Sequence, residues 1–182
     1  MNRGTETLRD LFRYEGKAEL IAGRVVQFPL MGYSPGRAAG QILFSLHRYE
    51  DTHPGEVYGP GLVCAIPELP IGRQSFCPDG SYHYGPWPED RMSWIEGAPA
   101  FAVEMRVLKD YESRFDPVRA AKRADYFAAG TQVVWDVDPV TETVAVYRAE
   151  KPKEPSVFRR GDTADAEPAV PGWCLKVDDL FG

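Results

Sequence analysis

Five residues stand out for what their side chains could do together: Glu19 in "AELIAGRVV", Asp79 in "CPDGSYHY", Glu104 and Arg106 in "APAFAVEMRV", and Lys122 in "AAKRADYF". A glutamate among Phe101, Ala102, Val103 and Met105 must be paired, metal-bound or protonated, because burying a bare carboxylate is strongly unfavourable. An aspartate directly behind Pro78, at the head of another short β-like run, raises the same question. Two such carboxylates suggest one shared partner. Hard oxygen donors suit Mg²⁺ or Mn²⁺, which keep several waters and take one or two carboxylates from the protein. An ion held this way lowers the pKa of bound water and stabilises charge on a phosphoryl oxygen, so the chemistry suggested is phosphodiester hydrolysis.

The elements that must position these groups follow from periodicity and turn signals. Ala100 to Val107 is almost wholly apolar, as suits a central strand covered on both faces, and Asp79 heads another short strand. Alternation along the strand puts Ala102, Glu104 and Arg106 on one face, and Phe101, Val103 and Met105 on the other. Asp116 as cap, Pro117 in the first turn and Gly130 as terminator predict a helix over Pro117–Ala129, whose inward face includes Lys122. Asp125, one turn on, is the alternative partner for that lysine. Glu19 falls on the first strand of a hairpin turning at Ala22-Gly23.

The rest of the chain reads as scaffold. Thr5 to Tyr14 predicts a short amphipathic helix, "RAAGQILFSLHRYE" a second helix and "VYGPGLVCAI" a strand. "GPWPEDRMSWIEG" reads as a loop, a candidate flap over the site. "QVVWDV" and "TVAVYR" form a hairpin across "DPVTE", Glu150 to Pro171 reads as a surface excursion, and "GWCLKVDDLF" returns to the core.

A length of 182 residues with 43% hydrophobic content implies one folded domain, 1–182, and no apolar run is long enough for a bilayer span. The opening "MNRGTETLRD" lacks a secretory core, which together with three scattered cysteines implies a reducing, cytoplasmic setting. Cys64, Cys77 and Cys174 show neither disulfide nor zinc spacing and read as buried thiols, and no GxSxG-like context supports a hydrolase triad. A net charge of −6 argues against a broad basic surface that grips nucleic acid. Between Glu104 and Arg123, however, six basic residues face four acidic ones, so positive charge collects beside the unusual glutamate.

With these residues in view, the chain resembles the bacterial Uma-type restriction endonucleases of the PD-(D/E)XK nuclease superfamily. The resemblance runs through "AELIAGRVV", "PLMGYSP", "CPDGSYHY", "GAPAFAVEMRV", "RFDPVRAAKRADYFAAGTQVVWDVDP", "VAVYR" and "PGWCLKVDDLFG". It implies a restriction-endonuclease-like α/β (α+β) fold, a mixed central β-sheet flanked by helices, with β-hairpins. It further implies Asp79 and Glu104 as metal ligands for Mg²⁺ or Mn²⁺, Lys122 as the migrated cationic residue and Glu19 as an auxiliary acid. Where the family commonly has a serine shortly after the glutamate, this chain has Val107; Arg37 stands in place of a histidine, and Arg106 takes the lysine position of ExK. Arginine is no base near pH 7, but it can hold a phosphate.

Two functions follow as expectations. One is a metal-dependent endonuclease acting on DNA, without a membrane and as a homodimer that addresses both strands. The other is an inactive binding or assembly protein on the same fold, in which Arg106 or Lys122 would salt-bridge the carboxylates.

Overall fold

The computed structural model describes residues 5–182; residues 1–4, the start of the charged amino-terminal stretch, lie outside the described residues. Helix α1 (Leu8–Leu11) precedes the hairpin β1 (Ala18–Ile21) and β2 (Arg24–Gln27), and α2 (Tyr33–Glu50) leads into β3 (Glu56–Tyr58). Then come β4 (Cys64–Ala65), β5 (Ser75–Phe76), β6 (Gly80–His83), β7 (Ile95–Glu96) and β8 (Phe101–Met105). Two 3-10 turns, Leu108–Tyr111 and Ser113–Phe115, introduce α3 (Asp116–Ala128). The chain closes with β9 (Val133–Asp138), β10 (Thr143–Arg148), β11 (Lys151–Phe158), β12 (Thr163–Asp165), β13 (Cys174–Lys176) and α4 (Val177–Phe181).

Six strands form the main sheet in the order β11-β10-β9-β8-β6-β3. Only β8 and β9 run parallel, with Glu104 beside Asp136 in register, and their crossover is α3. A crossover helix must lie against one face of the sheet it links, so α3 faces the side chains of Ala102, Glu104, Val134 and Asp136. The alternation read from the sequence is realised. Phe101, Val103, Trp135 and Val137 pack with Ile42, Leu46 and Leu180 in the larger core, while Ala102 and Val134 pack with Phe76 and Tyr126 in a second cluster. β4, β5 and β7 make a small sheet beside the second cluster.

Ala22 and Gly23 both adopt positive φ, 51° and 67°, which is the backbone a two-residue hairpin turn of this hand requires. Helix α3 begins one residue earlier than expected, with Asp116 in its first turn rather than as a side-chain cap, and Gly130 leaves it at φ +106°. Three sequence expectations are corrected. The first helix is one turn long, not ten residues. The loop from Gly85 to Gly97 is not wholly free, because Ile95 and Glu96 pair in parallel with Cys64 and Ala65 and bury Ile95. Most of all, Glu150 to Pro171 is not a surface excursion: β11 pairs with β10, and Ala164, Ala166, Ala169 and Val170 enter the core. Cys64 and Cys77 are buried and free as expected, whereas Cys174 is exposed on β13.

Candidate active site

Asp79 is fixed to β8 from both ends. Its backbone N–H donates to Val103 O at 2.9 Å, and its Oδ2 accepts the Met105 N–H at 2.8 Å. The proline before it, which has no N–H to offer, ends the preceding segment so that the aspartate sits at the mouth of the β6–β8 pair. Its second oxygen, Oδ1, is left to face Lys17, whose Nζ lies 2.8 Å away. Glu104 is arranged in the same way: Oε1 accepts from Tyr126 Oη at 2.6 Å and from Lys122 Nζ at 2.7 Å, while Oε2 faces Lys17 Nζ at 3.1 Å. Each carboxylate therefore has one oxygen anchored by protein donors and one turned toward a shared point.

Lys122 faces inward as its place on the helix predicts, but it does not pair with Asp125. Its ammonium bridges Glu104 and Glu19, at 2.7 and 2.8 Å, while Asp125 is taken by Arg73 at 2.7 Å. Glu19 is completely buried, and both of its oxygens are occupied: Oε1 by Lys122 and the Cys77 N–H, Oε2 by Arg73. It is connected to the Asp79–Glu104 pair through Lys122. The result is a largely buried ionic chain, Asp79–Lys17–Glu104–Lys122–Glu19–Arg73–Asp125, partly open at Lys17 and Glu104, in which each internal member touches two opposite charges. Alternation of sign along it offsets the desolvation that a lone buried charge would suffer.

Electrostatics distinguish the two carboxylates. Burial alone would raise the Glu104 pKa, but Lys122 and Lys17 outweigh it and hold the group well below the usual carboxylate range. Asp79 has only Lys17 as a cationic partner and Glu104 as a like-charged neighbour, and its pKa is pushed up, chiefly by burial. Burial would likewise lower the Lys17 pKa, yet Glu104, Asp79 and Glu19 together hold it above the ordinary lysine value.

The shared point opens into a cleft of about 220 Å³ whose lining includes Phe28, Met31, Phe115, Lys109 and Arg119. Phe28 lies close to both ammonium groups, 5.9 Å from Lys17 Nζ and 4.9 Å from Lys122 Nζ to the ring centroid. One side of the cleft, with Phe28, Met31 and Phe115, is thus apolar, and the charged pair lies at its floor. Among the described residues, no three His, Cys, Asp or Glu side chains gather to hold a metal. The donor set fits a hard divalent ion of the kind that takes two carboxylates and keeps its waters: Asp79 Oδ1 and Glu104 Oε2 already converge on one cationic atom.

Residues 6–178 match the Uma2 family, described as "Putative restriction endonuclease". The chain belongs to the Uma2 family. A crystal structure described as a putative nuclease of the DUF820 group from Anabaena variabilis superposes with a TM-score of 0.73 at 20% identity, covering 96% of this chain and 97% of that one. At that identity the likeness establishes the fold, which is restriction-endonuclease-like. No curated protein matches the sequence.

In this Uma2 chain the structure brings Asp79, Glu104, Lys122 and Glu19 together and sets Arg106 apart. Arg106 Nε lies 3.1 Å from Asp136 Oδ1, and its Nη1 is 3.8 Å from Asp138, so the guanidinium serves the neighbouring acid and not the Asp79–Glu104 pair. Asp136, buried beside Glu104, also receives Arg119 and Arg123 from α3. Two carboxylates side by side on parallel strands are tolerated because each has its own cations, lysines for Glu104 and arginines for Asp136. Lys17, Arg73, Tyr126 and Asp136 were not singled out from the sequence. Lys17 had a signal, standing two residues before Glu19 and so on the same side of an extended strand. Arg73 had none, since it lies in a turn-rich link whose path is set by tertiary packing.

Proposed function

We propose that this Uma2 chain is a divalent-metal-dependent endonuclease that hydrolyses DNA phosphodiester bonds. The observation that carries the reading is the convergence of Asp79 Oδ1 and Glu104 Oε2 on one cationic position at the floor of the cleft. Mg²⁺ or Mn²⁺ bound by these two oxygens would supply an acidified water and charge stabilisation at a phosphoryl oxygen. The protein's own residues do the rest. Lys122, beside Glu104, is a point charge placed for a scissile phosphate, and the exposed Lys109 along the cleft suits a flanking phosphate. Phe28 and Met31 give the cleft an apolar side against which a substrate can pack. Family membership supports the nuclease assignment. The reading takes the protein to act in the cytoplasm as a homodimer, a twofold pair being a direct way to address both strands of a duplex. Among the described residues, no helix is long and apolar enough to cross a membrane.

A second reading, an inactive binding or assembly protein on the nuclease fold, is favoured by one observation: Lys17 and Lys122 already saturate the carboxylates. Single-turnover cleavage of supercoiled plasmid with Mn²⁺ decides between them. The wild type is expected to nick and linearise the plasmid, and Asp79→Ala and Glu104→Ala are each expected to abolish this while remaining folded. An inert wild type across varied DNA substrates, with no Mn²⁺ bound in calorimetry, gives the second reading.

A further inference from the structure

We infer that Lys17 is a built-in occupant of the position a divalent ion takes between Asp79 and Glu104, so that the ion and the ammonium exclude one another. The inference rests on the metal-site reading above and adds a residue that controls metal loading.

Three observations carry it. Lys17 Nζ contacts Asp79 Oδ1 at 2.8 Å and Glu104 Oε2 at 3.1 Å, and these are the oxygens that the backbone and α3 leave open, since Asp79 Oδ2 is held by the Met105 N–H and Glu104 Oε1 by Tyr126 and Lys122. An ion using the open oxygens must therefore take the place of the ammonium. Second, charge in the ionic chain is matched to this exchange. Four carboxylates, Asp79, Glu104, Glu19 and Asp125, are met by three cations, Lys17, Lys122 and Arg73. With Lys17 in place one negative charge is left over; with Lys17 withdrawn two are, the complement of a divalent ion. Third, Lys17 has somewhere to go. Its backbone is held in the hairpin by the Phe28 N–H, but its long side chain borders the same cleft, whose Phe28 wall already lies near the ammonium. Lys122 differs, because an ion on the open oxygens would replace both carboxylate contacts of Lys17 but would leave Lys122 held by Glu19.

The test is Mn²⁺ binding by calorimetry and by electron paramagnetic resonance of the free ion, on wild type, Lys17→Met and Lys17→Gln at one ionic strength, with thermal melts alongside. Both variants are expected to bind Mn²⁺ at least about tenfold tighter than wild type, the scale on which one neighbouring charge acts on a carboxylate. Their melting temperatures should rise more steeply with Mn²⁺. If a variant fails to fold without metal, recovery of its melting transition on adding Mn²⁺ supports the inference, and a transition that Mn²⁺ does not restore counts against it. Equal or weaker binding by both variants, with wild type binding normally, overturns the role of Lys17 and leaves the nuclease reading untouched. Binding by the variants but not by wild type keeps the role of Lys17 and removes the metal-dependent activity. No binding by any of the three overturns both.

Discussion

Lys122 and Tyr126, one turn apart on α3, donate to the same oxygen of Glu104, at 2.7 and 2.6 Å. Residues four apart share one face of a helix, so a single helical surface supplies both a charge and a neutral donor to a buried carboxylate. The phenol is itself fixed, stacked on Phe76 with ring centroids 4.0 Å apart, and Arg73 lies over the far partner of that stack at 5.2 Å. The orientation of Glu104 is thus tied to the packing beneath it.

Tyr126→Phe keeps the stack and removes one hydrogen bond to an ionised acceptor. The expected loss of stability is about 2 kcal/mol, the scale of hydrogen bonds to charged groups. Mn²⁺ affinity should fall by about tenfold as the carboxylate loses its anchor. Urea melts and calorimetric titration measure the two effects, and a stable variant with unchanged metal affinity would remove Tyr126 from the positioning of the site.

Lys122→Met strips Glu104 of one of its cations and Glu19 of one of its two. Breaking a buried pair from one side costs about 3–5 kcal/mol, so the variant should melt well below wild type. Single-turnover plasmid cleavage should fall about a hundredfold or more, with DNA binding little changed. Cleavage at the wild-type rate, once the lower stability is allowed for by working at reduced temperature, would confine Lys122 to a structural role.

Asp136 is held by arginines from two directions, and its neighbours are not equally important to it. Arg106 is partly exposed and shares Asp136 with Arg119 and Arg123, so Arg106→Ala should cost only about 1 kcal/mol, and Arg106→Lys less. Asp136→Asn leaves the three guanidiniums facing one another around a neutral group and should cost about 3 kcal/mol or more. Denaturant midpoints of the three variants rank them, and an Arg106→Ala loss as large as that of Asp136→Asn would refute the shared-acceptor description.

His83 sets an acid limit on stability. Buried beside Cys64 and Ser81, its ring is pushed by burial from 6.5 down to about 4. Because the folded pKa lies below the unfolded one, its contribution is present in full above pH 6.5 and is lost as pH falls toward about 4, where the unfolded chain takes up the proton first. That loss amounts to about 3 kcal/mol. His83→Phe should flatten the fall of the urea midpoint between pH 7 and about 4.5. A variant whose pH dependence follows that of wild type would place the acid sensitivity elsewhere.

Much of the fold was legible because it rests on local rules. The hairpin at Ala22-Gly23, helix α3 with Pro117 and Gly130, and the two-faced strand from Phe101 to Met105 each carry their own turn or periodic signal. β11 did not, because "KPKEPSVF" is charged and carries two prolines, the composition of a loop, and becomes a strand only by pairing with β10. At the site, Glu104 declared itself as an acid in an apolar strand and Asp79 as an acid behind a proline at the head of another. Their cations were harder to assign. Lys122 could be placed on an inward helix face, but its choice of Glu19 over Asp125 depends on Arg73, which reaches that aspartate from 52 residues upstream in the chain. Arg106 was correctly placed on the face of Glu104, and then drawn to an acid on the adjacent strand that no local pattern could pair with it.

The unusual make-up of β11 has a consequence for how copies of this chain meet. It is one of the two outer strands of the main sheet, and every strand edge is a template on which a further strand can add. Here that rim carries Lys151, Lys153 and Glu154 together with Pro152 and Pro155, which have no N–H to donate, and its register against β10 breaks between Val146 and Arg148. The border is therefore blunted against runaway self-addition during synthesis and storage. A second copy that continued the sheet would have to add at the opposite edge, the three-residue strand β3, and not at β11.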